Sequence, residues 1–93
     1  MRALADPLRA RIVEMLAAEQ LCVCHIVELT GARQTNVSNH LRVLREAGVV
    51  ETEPAGRYTY YRLLPEALAT LAAHYGDLAE RARRASQIRR PCS

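Results

Sequence analysis

The sequence predicts a small, mostly α-helical domain with one β-hairpin, and three stretches of the chain carry this prediction. Residues 21–50 contain two short apolar-periodic segments that break at Gly31, and the second segment ends at Gly48. Residues 49–63 contain two strand-like runs on either side of a Pro-Ala-Gly break. Residues 65–86 form a long Ala- and Leu-rich segment that is typical of a helix.

The segment over residues 34–47 is predicted to be an amphipathic helix. Val37, Leu41 and Leu44 fall at i, i+4 and i+7, which places them on one stripe. The residues that point away from this stripe are Thr35, Ser38, Asn39 and Arg42. Such side chains can donate to phosphates and reach base edges in the major groove of double-stranded DNA. We therefore interpret this segment as a recognition helix, with an ordinary amphipathic surface helix as the alternative.

Two helices are predicted before the recognition helix, and the second of them forms a helix-turn-helix with it. Asp6 and Pro7 form a helix-start signal, because Asp accepts from unpaired amides and Pro fits the first helical position. This helix should continue to about residue 18, and the next one runs from about Cys24 to Thr30. Gly31 can adopt the left-handed conformation that ends one helix and turns the chain into the next.

The hairpin behind the recognition helix is expected to be a wing. We predict strands over 49–53 and 57–63, joined by a loop at 54–56. Arg57 lies at the tip, where it could enter a minor groove or hold a phosphate, although a solvated arginine is an equal alternative.

Composition limits the class of protein. With 49% hydrophobic and 25% charged residues, the 93 residues are expected to form one globular domain over 1–93, and the absence of Phe and Trp implies an aliphatic core. The net charge of +3 permits nucleic-acid binding but does not demand it.

No run is apolar enough for a membrane span and no secretory signal is visible, so we expect a cytoplasmic protein without a membrane partner. Without a phosphate loop or nucleophile motif, we expect no enzyme.

Cys22 and Cys24 form the most informative pair outside the helix-turn-helix. In the cytoplasm, where we expect this protein, three cysteines in a small chain favour reduced thiols over a disulfide framework. Thiolates at a helix start are soft donors that suit As(III), Sb(III), Cd(II), Pb(II), Cu(I) or Zn(II), although small buried cysteines are the alternative. Residues i and i+2 lie about 200° apart on a regular helix. Both sulfurs can therefore bind one ion only if Cys22 stays outside the helix or the first turn unwinds, and binding would strain the helix against the recognition helix.

Four pieces of the chain resemble the ArsR/SmtB family of arsenic- and metal-responsive repressors, which are small winged helix-turn-helix dimers. The pieces are ALADPLRARIVEML (3–16), LCVC (21–24), QxxVSxHLxVLREAG (34–48) and the wing-like GRYTYYRL (56–63). They lie in the family's order and with its spacing. The resemblance implies a winged helix-turn-helix homodimer that binds operator DNA.

The resemblance also places the dimer interface and the start of the recognition helix. The long C-terminal helix has an apolar stripe with little to cover it: Leu68, Leu71, Ala72, Tyr75 and Leu78. The family joins its subunits there and commonly has another helix before the first. Here only residues 1–5 precede the first cap, so we expect either that the chain is truncated or that its dimerisation rests more heavily on the C-terminus. Family members commonly cap the recognition helix with Ser before Gln34, whereas this chain has Arg33, which we expect to contact phosphate instead.

The resemblance assigns the cysteine pair to the family's thiolate sensor. The third Cys of the arsenic-sensing pattern is replaced by Val27, so a third ligand would be Cys92 or an exogenous thiol, unless two sulfurs suffice. His25 could bind a metal such as Zn(II), although a solvated or helix-start histidine is favoured. The family's other sensor site, on the last helix, is missing here, because its four positions are Pro65, Ala67, Leu78 and Arg81. His74 and His40 are interpreted as structural.

Together these observations predict a repressor released from DNA by a thiophilic ion. As(III) or Sb(III) is the expected inducer, with Cys22, Cys24 and Cys92 as candidate ligands; Cd(II), Pb(II) or Zn(II) is the alternative. The residues expected to contact DNA are Arg33, Gln34, Thr35, Ser38, Asn39, Arg42 and Arg57. The main rivals are a thiol redox switch on the same scaffold and an interaction module that has lost DNA binding.

Overall fold

A computed structural model describes residues 6–92 as four helices and one two-stranded antiparallel hairpin. The elements in chain order are α1 (Pro7–Ala18), α2 (Val23–Thr30), α3 (Gln34–Glu46), β1 (Val50–Ala55), β2 (Tyr58–Leu63) and α4 (Pro65–Ala85). This is the predicted order of elements. The prediction about the segment before the first helix concerns residues 1–5, which lie outside the described residues.

An aliphatic core joins the first three helices to the hairpin, as the lack of Phe and Trp predicted. Ile12, Ile26, Val37 and Leu41 are fully buried, and α3 also buries Leu44. The predicted apolar stripe of α3 is therefore its core face. The residues packed around this core from the other elements include Tyr61, Leu63, Ala67, Leu68 and Leu71.

Two predicted signals at the helix ends have the expected geometry. The Asp6 carboxylate accepts hydrogen bonds from the backbone N–H groups of Leu8 (2.9 Å) and Arg9 (3.2 Å), so it caps α1. Gly31 has φ of 73°, and its N–H donates to the Val27 carbonyl at 2.8 Å. Because a left-handed backbone strains any side-chain-bearing residue, glycine allows the tight turn from α2 into α3.

The predicted hairpin loop at 54–56 was wrong, because Pro54 and Ala55 belong to β1. The turn is instead made by Gly56, with φ of 63°, and Arg57. Proline is tolerated because a strand of a two-stranded sheet has one unpaired edge, toward which its missing N–H can face. Arg57 remains at the tip of the hairpin, as predicted.

Among residues 6–92, the long helix α4 packs on the core near its start. Leu68 and Leu71 are partly buried against the core, which corrects the expectation that little covers the whole stripe. Farther along, Ala72 and Tyr75 are exposed. The Cα radius of gyration is 17.2 Å, whereas a compact domain of this length would have about 12 Å. The structure is therefore elongated. None of the described helices is long and apolar enough to cross a membrane.

Candidate DNA-binding surface and thiolate site

The outward face of α3 presents the polar residues that the helical spacing predicted. Because Val37, Leu41 and Leu44 hold the opposite face in the core, the polar side chains point to solvent. All seven candidate DNA-contacting residues are exposed: Arg33, Gln34, Thr35, Ser38, Asn39, Arg42 and Arg57. The Arg33 side chain makes no capping hydrogen bond to α3, as its difference from the family's Ser suggested.

Arg42 is the only one of these residues in an ion pair within the described residues. Its guanidinium lies 3.5 Å from the Glu46 carboxylate, one helical turn away, and both side chains are more than 60% exposed. Such an exposed pair contributes at most about 0.5 kcal/mol. Arg42 can therefore exchange Glu46 for a phosphate at little cost.

His40 anchors the recognition helix to the start of α1. Its Nδ1 accepts a hydrogen bond from Arg9 Nε at 3.1 Å, and its Nε2 lies 3.6 Å from the Asp6 carboxylate. The side chain is only 13% exposed, so the prediction of a satisfied, partly buried histidine is confirmed. The hydrogen bond from the backbone N–H of Arg9 is the largest cause that lowers the pKa of Asp6 below its ordinary value. The nearby His40 lowers this pKa further.

Cys22 and Cys24 are brought together at the start of α2. Cys22 is the N-cap residue, with an extended backbone (φ −91°, ψ 168°), so it lies outside the helix. Cys24 is in the first turn, and the two Cα atoms are 5.4 Å apart. This is the first of the two arrangements that allow both sulfurs to share an ion.

The structure shows these two cysteines joined as a disulfide, whereas the sequence favoured reduced thiols. The bond joins residues two positions apart, so it links no separate elements and is not a disulfide framework. Its formation is possible because Cys22 lies outside the helix, which lets its sulfur face that of Cys24. The pair is asymmetric, since Cys22 is buried and Cys24 is exposed.

His25 is the third member of this cluster. Its Nδ1 accepts a hydrogen bond from the Cys22 N–H at 3.2 Å and lies 3.3 Å from the Cys22 sulfur. The helix-start role favoured from the sequence is therefore seen. The sulfurs and an imidazole nitrogen of His25 all lie within 4.8 Å of one another, close enough to hold one metal ion.

Cys92, the candidate third thiolate ligand, is a free and exposed cysteine beyond the end of α4. It does not belong to the cluster of Cys22, Cys24 and His25.

His74 is exposed on α4, where the centroid of its ring lies 5.2 Å from that of the Tyr75 ring. Val27 occupies a partly buried position against the core.

The wing lies directly beside the cysteine pair, which the sequence did not predict. Leu21 and Tyr61 form an antiparallel bridge with two backbone hydrogen bonds, of 3.3 and 2.8 Å. The centroid of the Tyr60 ring lies 6.0 Å from that of the His25 ring. One cavity of about 250 Å³ is lined by Cys22, Cys24, His25, Tyr58 and Tyr60. A second, of about 230 Å³, is lined by both cysteines and by residues of β2 and the wing tip, including Arg57.

The chain matches the sequence model of a known family over half its length. The match, to "Bacterial regulatory protein, arsR family", covers residues 6–52, from the cap of α1 into β1. The chain belongs to this family. The family consists of DNA-binding transcription regulators, so the prediction that the chain is not an enzyme is confirmed.

Relatives and solved structures agree with this membership of the arsR family. The HTH-type transcriptional repressor SmtB of Mycobacterium tuberculosis is 42% identical over 81 residues, which are 83% of this chain and 60% of that protein. The crystal structure of a "Possible transcriptional regulator for arsenical resistance" is 34% identical, has a TM-score of 0.77 and covers 96% of this chain and 95% of its own. The homodimeric winged helix-turn-helix DNA-binding domain Mb0332 of Mycobacterium bovis is 29% identical, with a TM-score of 0.68, over 99% of this chain and 81% of its own.

These likenesses confirm the predicted winged helix-turn-helix fold. The chain spans 52% and 60% of the length of the first curated relatives that it matches.

Proposed function

We propose that this arsR-family chain is a transcriptional repressor that binds operator DNA as a homodimer in the cytoplasm and leaves it when a thiophilic ion binds Cys22 and Cys24. As(III) or Sb(III) is the proposed inducer. The observation that carries the proposal is the cysteine pair at the start of α2, a helix that packs on α3, with the wing directly beside the pair.

DNA binding rests on α3 and the wing tip. Gln34, Thr35, Ser38 and Asn39 lie on the exposed face of α3 and would read base edges in the major groove. The arginines, Arg33, Arg42 and Arg57, would hold phosphates or enter the minor groove and so fix the position of the helix on the duplex.

Homodimerisation rests on the uncovered part of α4. Tyr75 is 39% exposed on a helix that buries no residue fully, and Ala72 is exposed beside it. An apolar helix face is most stable when another helix covers it, and a second copy supplies the same face by symmetry. The similar domain from Mycobacterium bovis is homodimeric, which supports a homodimer for this chain. Two recognition helices would then read half-sites about one helical turn of DNA apart, or a multiple of it.

The residues at the cysteine pair fit a thiophilic ion. Two sulfurs face each other, and a cavity of about 230 Å³ lies beside them. In the reduced protein, Cys22 and Cys24 would hold As(III) or Sb(III), which form strong bonds to thiolates. Cys92 would have to approach from beyond α4 to add a third sulfur; otherwise two protein sulfurs suffice.

Two paths connect this site to the DNA-binding surface. Cys24 belongs to the first turn of α2, which packs on α3, so a change in that turn displaces the support of the recognition helix. Leu21 precedes Cys22 and is hydrogen-bonded to Tyr61 of β2, so the same change also reaches the wing. Ion binding would therefore move both parts of the DNA-binding surface relative to each other.

Operator binding, measured by fluorescence anisotropy with and without arsenite in a non-thiol reductant, tests this function. Wild-type protein should lose affinity about 5–150-fold in arsenite, the usual range of such coupling. Cys24→Ser should bind DNA normally and stay bound. Cys92→Ser decides whether the tail contributes, because a lost response would make Cys92 the third ligand. Wild-type protein that stays on DNA in arsenite yet leaves it in Cd(II) would contradict the As(III) assignment.

A thiol redox switch is the second candidate, and the Cys22–Cys24 disulfide favours it. In this reaction the two thiols give two electrons and two protons to hydrogen peroxide, which becomes two waters, while one S–S bond forms. Release of DNA by peroxide but not by arsenite, reversed by a reductant, would select this function over ion sensing. A complete lack of salt-dependent duplex binding would contradict both.

A further inference from the structure

We propose that His40 is a positioning residue for DNA recognition. Through two directional contacts with the start of α1, it fixes the rotation of α3 about its own axis, and so determines how strongly the chain prefers its operator over other DNA. The inference rests on the proposed binding of DNA by α3, and it does not depend on which ion binds the cysteine pair.

The start of α1 holds both nitrogens of the His40 ring. Nδ1 accepts a hydrogen bond from Arg9 Nε at 3.1 Å, and Nε2 lies 3.6 Å from the Asp6 carboxylate. Asp6 is itself fixed, because its carboxylate accepts the N–H groups of Leu8 and Arg9 as the cap of α1. A side chain that is 13% exposed and held at both ring nitrogens has little freedom to rotate.

The charges at the start of α1 favour one orientation of the ring. Because Nδ1 accepts from Arg9, a neutral His40 carries its proton on Nε2. That N–H faces the Asp6 carboxylate, whose negative charge attracts it. The positive Arg9 group and the negative Asp6 group therefore favour the same tautomer and the same placement of the imidazole.

The apolar core by itself restrains the rotation of α3 less closely. Val37, Leu41 and Leu44 hold the helix by hydrophobic contacts, which are not directional. A hydrogen bond depends steeply on its angle, so the contact between His40 and Arg9 adds an angular restraint. Such a restraint matters for recognition, because binding groups must lie within about 10–20° of their productive geometry.

His40 lies where it can pass this restraint to the residues that face DNA. It directly follows Asn39 and lies two positions after Ser38, both of which are exposed and are proposed to read bases. It does not belong to that face itself, since its side chain is largely buried and its ring nitrogens face α1. Its loss should reduce the preference for one sequence, while the phosphate contacts, which bind any duplex, remain.

The test compares the binding of two DNA duplexes by fluorescence anisotropy. One is a duplex that the wild-type protein selects from a random-sequence library, and the other has the same composition in scrambled order. His40→Leu keeps a side chain of similar size but removes both ring nitrogens. Because one good base contact discriminates by a factor of about 5–150, this variant should bind the selected duplex at least about fivefold more weakly. Its affinity for the scrambled duplex should change by less than about twofold.

Two further variants separate positioning from stability. His40→Asn keeps an acceptor oxygen close to the position of Nδ1, so it should retain most of the preference for the selected duplex. Ile12→Val removes one methyl group from the fully buried core and weakens folding without touching the contacts of His40, so it should bind both duplexes as the wild type does. Urea unfolding checks that every variant is folded under the binding conditions.

A double-mutant cycle with Arg9→Met tests whether His40 acts through Arg9. If it does, Arg9→Met lowers the preference for the selected duplex, and adding His40→Leu lowers it little further. Losses that simply add would show that the two residues act separately and would overturn the inference.

An unchanged preference in His40→Leu would also overturn the inference, as would an equal loss of affinity for both duplexes. The same holds if His40→Asn loses as much of the preference as His40→Leu does. Each of these results leaves the proposed function standing, because the wild-type protein still binds its selected duplex. Wild-type protein that binds no duplex would contradict the proposed function, and the inference with it.

Discussion

Replacing Cys22 by serine should leave a folded, DNA-binding protein that no longer responds to arsenite. The side chain is 4% exposed, so an unpaired hydroxyl there would cost about 1–3 kcal/mol. Cys22 is the N-cap residue of α2, where a serine oxygen can accept a hydrogen bond from a backbone N–H of the first turn. Serine is a preferred N-cap residue and contributes about 1 kcal/mol there, which offsets most of the cost. The free energy of unfolding should therefore stay within about 1 kcal/mol of wild type, a change in Tm below about 8 °C.

The response to arsenite should vanish in the same variant, because one of the two sulfurs is gone. On the proposed function, the release of the wild-type protein from DNA would correspond to about 1–3 kcal/mol of coupling. The assay is urea unfolding for stability, followed by operator binding with and without arsenite. Cys24→Ser is the matched control, since its position is exposed and serine there meets no desolvation cost. A loss of several kcal/mol in the free energy of unfolding of Cys22→Ser would show that the N-cap hydrogen bond does not offset the cost of burying the hydroxyl. Release of Cys22→Ser from DNA by arsenite would show that Cys22 is not needed to bind the ion.

Three further predictions concern the DNA-binding face, the dimer and the first helix cap. Asn39→Ala should lose about 1–3 kcal/mol on the cognate operator and less on random DNA, whereas Arg42→Ala should weaken both equally and reduce the salt slope; a silent Asn39→Ala would contradict the assignment of this face. Leu78→Arg, on the partly covered stripe of α4, should give monomers in sedimentation at micromolar concentration and weaken operator binding; an unchanged dimer would place the interface elsewhere. Because the pKa of Asp6 is lowered from its ordinary 3.8, the stabilisation by its carboxylate should be complete above pH 3.8 and be lost as the pH falls through the lower folded value. In acid unfolding, Asp6→Asn should not show this loss of stability. An identical dependence of stability on pH for Asp6→Asn and the wild type would contradict the contribution of the Asp6 carboxylate.

The sequence predicted the helices well because their signals are local. The stripe of Val37, Leu41 and Leu44, the cap at Asp6 and the turn at Gly31 each depend on residues a few positions apart. The hairpin turn was misplaced because Pro54 usually breaks a strand, and only the pairing with β2 reveals that β1 continues through it. Local composition gives no information about which strand edge faces a partner.

The site was predicted only in part because its neighbours come from distant parts of the chain. Cys22 and Cys24 could be selected by their spacing and their place before a helix. The approach of Tyr60 and of the bridge from Leu21 to Tyr61 depends on how the hairpin folds back on α2, a contact across 40 positions. His25 was recognised as a helix-start residue, but its closeness to both sulfurs depends on the extended backbone of Cys22.

The size of α2 explains how so small a site could release DNA. The helix has eight residues, fewer than the roughly 12–15 that an isolated helix needs, so its packing and its caps hold it in place. Losing one N-terminal cap typically costs about 0.5–2 kcal/mol, which is close to the 1–3 kcal/mol of coupling that a repressor needs. An ion held by Cys22 and Cys24 would act on this first turn, because one sulfur belongs to the N-cap residue and the other to the helix itself. Rearranging one turn would therefore supply a free energy of the size that the proposed release from DNA needs.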